Sequence, residues 1–293
     1  MMPLDLTQGR LSDGQAAQYW ADGFLHPLPG LNAHEAAAAR TELEAIERDW
    51  LDANLPQPLS TYKRLNSQIV MPFAARIGQD PRILDVVEGV LGPDIMLYSA
   101  ELFIKEPHTK HVVTMHQDLT YWGLGASGGL VTAWLALSPA TEASGCMEFV
   151  KASHKNAILP HTDTYDADNL LSRGQEVAVD VAPEDREPIV LQPGEFSLHH
   201  GLTIHGSGPN VSDDRRIGLV FRYLRPDMAR EDGERDPAML VRGQDSFHNF
   251  EHVPMPRADF DPEAVALHER IRRSQAAVMM KGAKGGSAAG MYD

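Results

Sequence analysis

One spacing constrains this chain more than any other: His116-Gln117-Asp118, answered far downstream by His205 within Leu198-His199-His200-Gly201-Leu202-Thr203-Ile204-His205-Gly206-Ser207-Gly208. On a β-strand, residues two apart point the same way, so His116 and Asp118 share a face while Gln117 looks elsewhere. If His205 is to join them, a distant strand must fold back beside the first. A sandwich or barrel in which early and late core strands adjoin meets that demand. Two imidazoles and one carboxylate on one face of an ion leave the opposite positions open. Non-heme iron(II) oxygenases use this donor set, and some catalytic zinc sites use it too. A bare His-x-Asp also occurs as ordinary exposed polar residues, and 13 histidines make coincidence easier.

The texture of the chain agrees with the β reading. From Ile95 to about Leu224, short β-rich runs are broken by Gly, Pro, Asn and Asp, which predicts an antiparallel sandwich or barrel. Within Tyr98 to Lys105 the even positions Tyr98, Ala100, Leu102 and Ile104 are mainly apolar, leaving Ser99, Glu101 and Phe103 on the other face. The run Arg216 to Leu224 alternates as well, with Ile217, Leu219, Phe221 and Tyr223 opposite Arg216, Gly218, Val220 and Arg222. If the aromatic face packs outward on helices, both arginines point inward. A buried guanidinium is costly unless a carboxylate meets it, and its planar fork suits a bidentate one. A diacid co-substrate would satisfy Arg216, while parity turns Arg215 the other way. Arg222 has two readings, an internal ion pair with Glu101 or a contact to substrate.

The N-terminal third reads as helical. Ser12 with Gln15 and Asn32 with Glu35 have capping-box spacing, and the second pair opens an alanine-rich amphipathic run to about Leu51. Gly23-Phe24-Leu25-His26 forms a short strand between them, and a helix from near Pro81 to Leu91 is stopped by Gly92-Pro93. Beyond Arg225 periodicity is lost until a helix from about 262 to 280, and the Gly-, Ala-, Lys- and Ser-rich end reads as disordered. The expected layout is a single domain over 1–293, with a helical buttress at 1–94, a β core at 95–225, an extension at 226–281 and a disordered tail at 282–293.

Composition narrows the partners. A formal net charge of -15 argues against nucleic acid and anionic membrane. No basic start followed by an apolar run marks a leader, and no apolar stretch reaches the length of a membrane span. The one cysteine, Cys146, excludes an intramolecular disulfide framework and a zinc site built on several thiolates. A soluble, cytoplasmic protein acting on a small molecule is expected.

Taken together, His116-Gln117-Asp118-Leu119, Trp134, Gly145-Cys146-Met147, Ser153-His154-Lys155, Pro193-Gly194-Glu195, His205-Gly206-Ser207-Gly208 and Arg216 resemble the phytanoyl-CoA dioxygenase family of Fe(II)/2-oxoglutarate oxygenases. The likeness runs from about Leu11 to Leu224 and includes Asp22-Gly23-Phe24. It implies a mainly β fold with flanking helices, whose core is a double-stranded β-helix, the jelly-roll or cupin-like arrangement. It implies that His116, Asp118 and His205 bind Fe(II), that Arg216 holds the far carboxylate of 2-oxoglutarate, and that the Ser207 hydroxyl assists. O2 is the other co-substrate. Trp134 matches a tryptophan near the co-substrate, a buried core residue being its other reading, and Lys63 or Arg64 matches a further basic contact. Related halogenases replace the acidic ligand with Ala or Gly, so Asp118 implies hydroxylation instead.

For the substrate, the candidates are Ser99, Glu101 and Phe103, with Tyr121 and Trp122 after the His-x-Asp and Arg222 on the last strand. An acid and a base in one pocket predict a small polar or zwitterionic metabolite, hydroxylated at an unactivated C–H, ahead of an acyl-CoA or lipid. Two other classes compete. A non-redox metal enzyme on the same barrel has no need of Arg216, and a binding module is expected to have lost part of the His-Asp-His set. His154-Lys155 and His199-His200 read as structural or loop residues.

Overall fold

The computed structural model describes residues 10–121, 123–125, 128–163, 168–171, 175–177 and 181–279. The tail expected at 282–293 and Trp122 lie outside the described residues, as does the side chain of Tyr121. Among the described residues, helices are α1 (Asp13–Asp22), α2 (Ala33–Trp50), α3 (Leu59–Arg64), α4 (Pro72–Ile77), α5 (Pro81–Leu91) and α6 (Pro262–Met279). The strands are β1 (Phe24–Pro29), β2 (Ile95–Lys105), β3 (Val113–His116), β4 (Leu130–Ala136), β5 (Met147–Val150), β6 (His161–Asp163), β7 (Gln175–Val177), β8 (Arg186–Ile189), β9 (Glu195–His200), β10 (His205–Ser207), β11 (Arg216–Leu224), β12 (Pro237–Arg242) and β13 (Glu251–His252).

Local chemistry sets the helix boundaries. Both capping boxes form: the Gln15 amide donates to Ser12 Oγ, the Glu35 amide donates to Asn32 Oδ1, and each N3 side chain accepts from its cap. Gly23 ends α1 at φ 91°, a left-handed conformation that costs glycine little, and the chain turns directly into β1.

A seven-stranded sheet runs β1-β9-β4-β11-β2-β12-β13, antiparallel except for the β12–β13 pair, and a four-stranded sheet runs β3-β10-β5-β8. The alternation read from β2 and β11 is realised. Their outward residues Ala100, Leu102, Ile217, Leu219, Phe221 and Tyr223 are buried with Phe73, Ala74 and Ile77 of α4 and Val86 and Val87 of α5. Each large apolar side chain so buried contributes about 1.5–3 kcal/mol. Between the sheets, Trp134, Ala136 and Val220 of the large sheet meet Met147, Phe149 and Ile189 of the small one. The result is a mainly β jelly roll, a double-stranded β-helix with helices against one sheet.

The sheet reaches beyond the expected 95–225 core. Strand β1, from the helical third, pairs with β9, and β12 pairs with β2 through Met239↔Leu97 and Leu240↔Met96. The strand expected at Gly23–His26 forms as β1, but five successive buried positions without alternation gave no sign of its partner, and β12 is only six residues set among Pro, Asp and Arg.

Candidate active site

The two halves of the opening spacing are brought together by strand pairing: β3 and β10 run antiparallel with His116 opposite His205. The imidazole centroids lie 4.1 Å apart. Strand β3 ends at His116, however, and Asp118 opens a 3-10 turn through Tyr121 instead of extending the strand. The Leu119 amide donates to Gly201 O, drawing the backbone out of the ladder. Gln117 still points away, donating to Leu202 O at 2.9 Å and accepting from the Leu159 amide.

One nitrogen or oxygen from each of His116, Asp118 and His205 lies within 4.8 Å of the others, and all three residues are buried. The donor chemistry fits a metal ion. His116 Nδ1 lies 2.9 Å from Thr114 O, and His205 Nδ1 lies 2.9 Å from Thr203 O. A carbonyl only accepts, so each Nδ1 carries the proton and each Nε2 keeps a lone pair for an ion. Burial, reinforced by His116, holds His205 well below the ordinary imidazole range. Burial alone would raise Asp118, but Arg222, with His116 and His199, holds it well below the usual carboxylate range. The set thus offers the Nε2 of two imidazoles and one carboxylate to an ion. Asp118 Oδ1 is 3.7 Å from His116 Nε2, while Oδ2 accepts from Thr132 Oγ at 2.7 Å.

The second half of the site is Arg216, at the start of β11 and 1% exposed. Its Nη1 donates to Gly145 O at 3.0 Å, while Nε and Nη2 have no hydrogen-bond partner. Burial, with Arg64 adding to the effect, brings its pKa down to about 10. The guanidinium lies over the Trp134 ring, 5.3 Å from the centroid. Trp134 can occupy that place because β11 carries Gly218 there: a Cβ on Gly218 would stand 2.1 Å from the indole. Tryptophan is therefore both core and pocket wall.

Lys105, which the sequence did not single out, completes this end. It sits opposite Arg216 in the β2–β11 register, fully buried, with Nζ donating to Ser207 Oγ at 2.7 Å and to Gly208 O. Burial, then Arg216, pushes the amine down to about 6. Its parity was visible, but a lysine closing a strand ordinarily reads as a solvated end.

The remaining candidates divide. Of Lys63 and Arg64, Lys63 turns outward and pairs with Glu47 at 2.6 Å, whereas Arg64 lies over the Phe103 ring at 4.1 Å. Successive helical residues point about 100° apart, so only one of them can face the pocket. Arg222 meets Glu101 at 2.6 Å, with Asp118 Oδ1 at 3.4 Å and Ser99 Oγ at 3.5 Å. The internal ion pair is the reading realised, and the two charges are not held apart for a zwitterion. Arg215 faces outward as parity required, bound by Glu47 and Glu106. His154 bonds Trp20 O and His200 packs on the Trp20 ring, but His199 lines the cavity. A cavity joins the His-Asp-His cluster to Arg216, walled by Phe103, Val113, Met147 and Val220.

The sequence model described as phytanoyl-CoA dioxygenase (PhyH) matches residues 19–218. The chain belongs to the phytanoyl-CoA dioxygenase family. Among solved structures of similar fold, the apo non-heme monooxygenase ThoJ is 30% identical with a TM-score of 0.81, over 91% of this chain and 97% of that one. Peroxisomal phytanoyl-CoA dioxygenase of Bos taurus is 32% identical over 149 residues, 49% of this chain and 43% of the relative. A probable alpha-ketoglutarate-dependent hypophosphite dioxygenase of Stutzerimonas stutzeri is 30% identical over 149 residues, 50% of this chain and 51% of the relative. The match thus spans about half the length of these two curated proteins, while the phytanoyl-CoA dioxygenase family model itself runs across both the metal cluster and Arg216.

Proposed function

We propose that this chain is an Fe(II)/2-oxoglutarate-dependent dioxygenase that hydroxylates a C–H bond of a small molecule, releasing succinate and CO2. The observation that carries the reading is Arg216, a buried guanidinium with two nitrogens unsatisfied, on the cavity that the His-Asp-His cluster opens into. A metal enzyme without a diacid co-substrate has no use for that cation. The name of the Stutzerimonas stutzeri relative supports the same co-substrate, and a nickel complex of ThoJ, 28% identical to this chain, supports a metal centre.

His116, Asp118 and His205 would hold the iron. The bound iron, 2-oxoglutarate and O2 together supply decarboxylation of the oxo acid coupled to oxidation of the substrate C–H. The protein does the positioning. Thr114 O and Thr203 O fix the two imidazole rings, Thr132 holds Asp118, and Arg216 with the Ser207 hydroxyl receives the far carboxylate. Asp118 supplies a third protein donor, which favours hydroxylation over halide transfer.

The polar lining of the cavity, where Thr132, His199, Ser207 and Arg222 stand beside the proposed ligands, supports a small polar metabolite over a long acyl chain. The substrate is proposed as small and polar, its polarity answered by His199 and the cavity edge of the Arg222–Glu101 pair and not by two separated charges. A small-molecule partner in the cytoplasm fits the acidity, and no helix among the described residues is long and apolar enough to cross a membrane. Succinate release from 2-oxoglutarate, with and without a metabolite panel, tests the proposal. Fe(II)-dependent succinate is the expected product, and Arg216→Ala should remove it. Turnover of any substrate without succinate supports the non-redox alternative.

A further inference from the structure

A third imidazole stands in this site beside the two proposed as metal ligands. His199 of β9 is 1% exposed, and neither ring nitrogen makes a hydrogen bond. Its ring is fixed between His205, 4.5 Å between centroids, and Phe149, at 4.9 Å. A buried imidazole must donate from at least one nitrogen, and an acceptor stands nearby: Asp118 Oδ2, 3.4 Å from Nε2.

Register explains why. Thr132 of β4 and His199 of β9 are direct cross-strand partners, so both side chains rise from one face of adjoining strands. Thr132 Oγ already donates to the same Oδ2 at 2.7 Å. The two oxygens of Asp118 are thereby made unequal. Oδ2 is held against the large sheet, while Oδ1 lies 3.7 Å from His116 Nε2, beside the metal position. Arg222 Nη2, at 3.4 Å, approaches Oδ1, but its charge is answered first by Glu101 at 2.6 Å.

We propose that His199 is a positioning residue for Asp118: its Nε2–H and the Thr132 hydroxyl together tether Oδ2, so that the carboxylate offers a metal one oxygen and not two. Single-oxygen ligation keeps an additional position on the ion for the two donor atoms of an oxo acid. The inference rests on the metal-centre reading of His116, Asp118 and His205, and on the geometry of two strands that carry no ligand themselves.

The test is anaerobic Co(II) titration of the wild type, His199→Phe and His199→Gln, reading affinity and the ligand-field spectrum. Phenylalanine keeps ring volume without a donor; glutamine keeps an N–H donor near the place of Nε2. His199→Phe should bind Co(II) about 10- to 100-fold more weakly, the usual effect of losing a hydrogen bond to a metal ligand, with altered ligand-field bands. His199→Gln should recover wild-type bands and affinity within a few-fold. Wild-type affinity and bands in a folded His199→Phe protein overturn the inference. If His199→Phe does not fold, His199→Gln decides: wild-type bands uphold the tether, and altered bands in the folded protein overturn it. His116→Ala separates the two readings, because undiminished Co(II) binding there removes the metal centre itself.

Discussion

Arg216 shows how much one side chain carries. A planar fork with two free donors suits a carboxylate in a way a lysine ammonium does not. Arg216→Lys should therefore weaken 2-oxoglutarate binding by roughly 10- to 100-fold, in line with about 1.5–3 kcal/mol for a charge-assisted hydrogen bond, while Co(II) affinity stays near wild type. Paired calorimetric titrations check this, and equal loss of both would contradict it. Lys105 gives a second prediction. Its amine, pushed down to about 6 by burial and then Arg216, is largely neutral at pH 7.5 in the free protein, and an anion beside Ser207 favours the charged form. Binding of 2-oxoglutarate should take up protons at that pH, so affinity falls as pH rises. Calorimetry in buffers of different ionisation enthalpy reads the uptake, and Lys105→Met should abolish it. The residues legible in the sequence were those whose type and parity both signalled chemistry: His116, Asp118, His205 and Arg216. Lys105 and His199 were missed because their types also suit a strand end and a core, and only the fold places Lys105 beside Arg216 and His199 on the cavity wall.

At the level of elements, alternation carried the reading of β2 and β11, and glycine refined it. Gly218 leaves the gap that the Trp134 indole fills beneath Arg216. Gly218→Ala should displace the ring, costing about 1–3 kcal/mol of stability by overpacking and weakening 2-oxoglutarate more than metal. Thermal denaturation together with the two titrations checks it; an unchanged melting temperature and affinity would show that the ring moves freely. The His-x-Asp spacing brings both side chains to one cluster although β3 stops at His116, because a tight turn keeps Asp118 on the side the strand would have given it. Short strands flanked by charge, such as β12, have too few positions for a period to emerge, so their place in the sheet is set by tertiary pairing alone.

Across the whole molecule, α6 is docked on the N-terminal helices through a buried imidazole. His268 Nε2 lies 2.6 Å from Leu65 O, and the ring packs 4.7 Å from Tyr62. Burial pushes its pKa down to about 4, from 6.5 in an open chain. Between those values the unfolded state binds more protons, so stability is full above about 6.5, falls as pH drops through the window and levels off below about 4. The contribution is on the order of 3 kcal/mol. His268→Gln should flatten that part of the melting temperature's pH dependence, and an identical profile in both proteins would contradict it.

The central claim is that one cavity holds a metal on His116, Asp118 and His205 and a diacid on Arg216. Anaerobic spectroscopy of Fe(II) with 2-oxoglutarate tests it most directly. A visible charge-transfer band should appear only with both additions, vanish in His116→Ala, and require much more 2-oxoglutarate in Arg216→Ala. Protein that turns over a substrate yet shows no such band, or a band indifferent to both substitutions, would contradict the account.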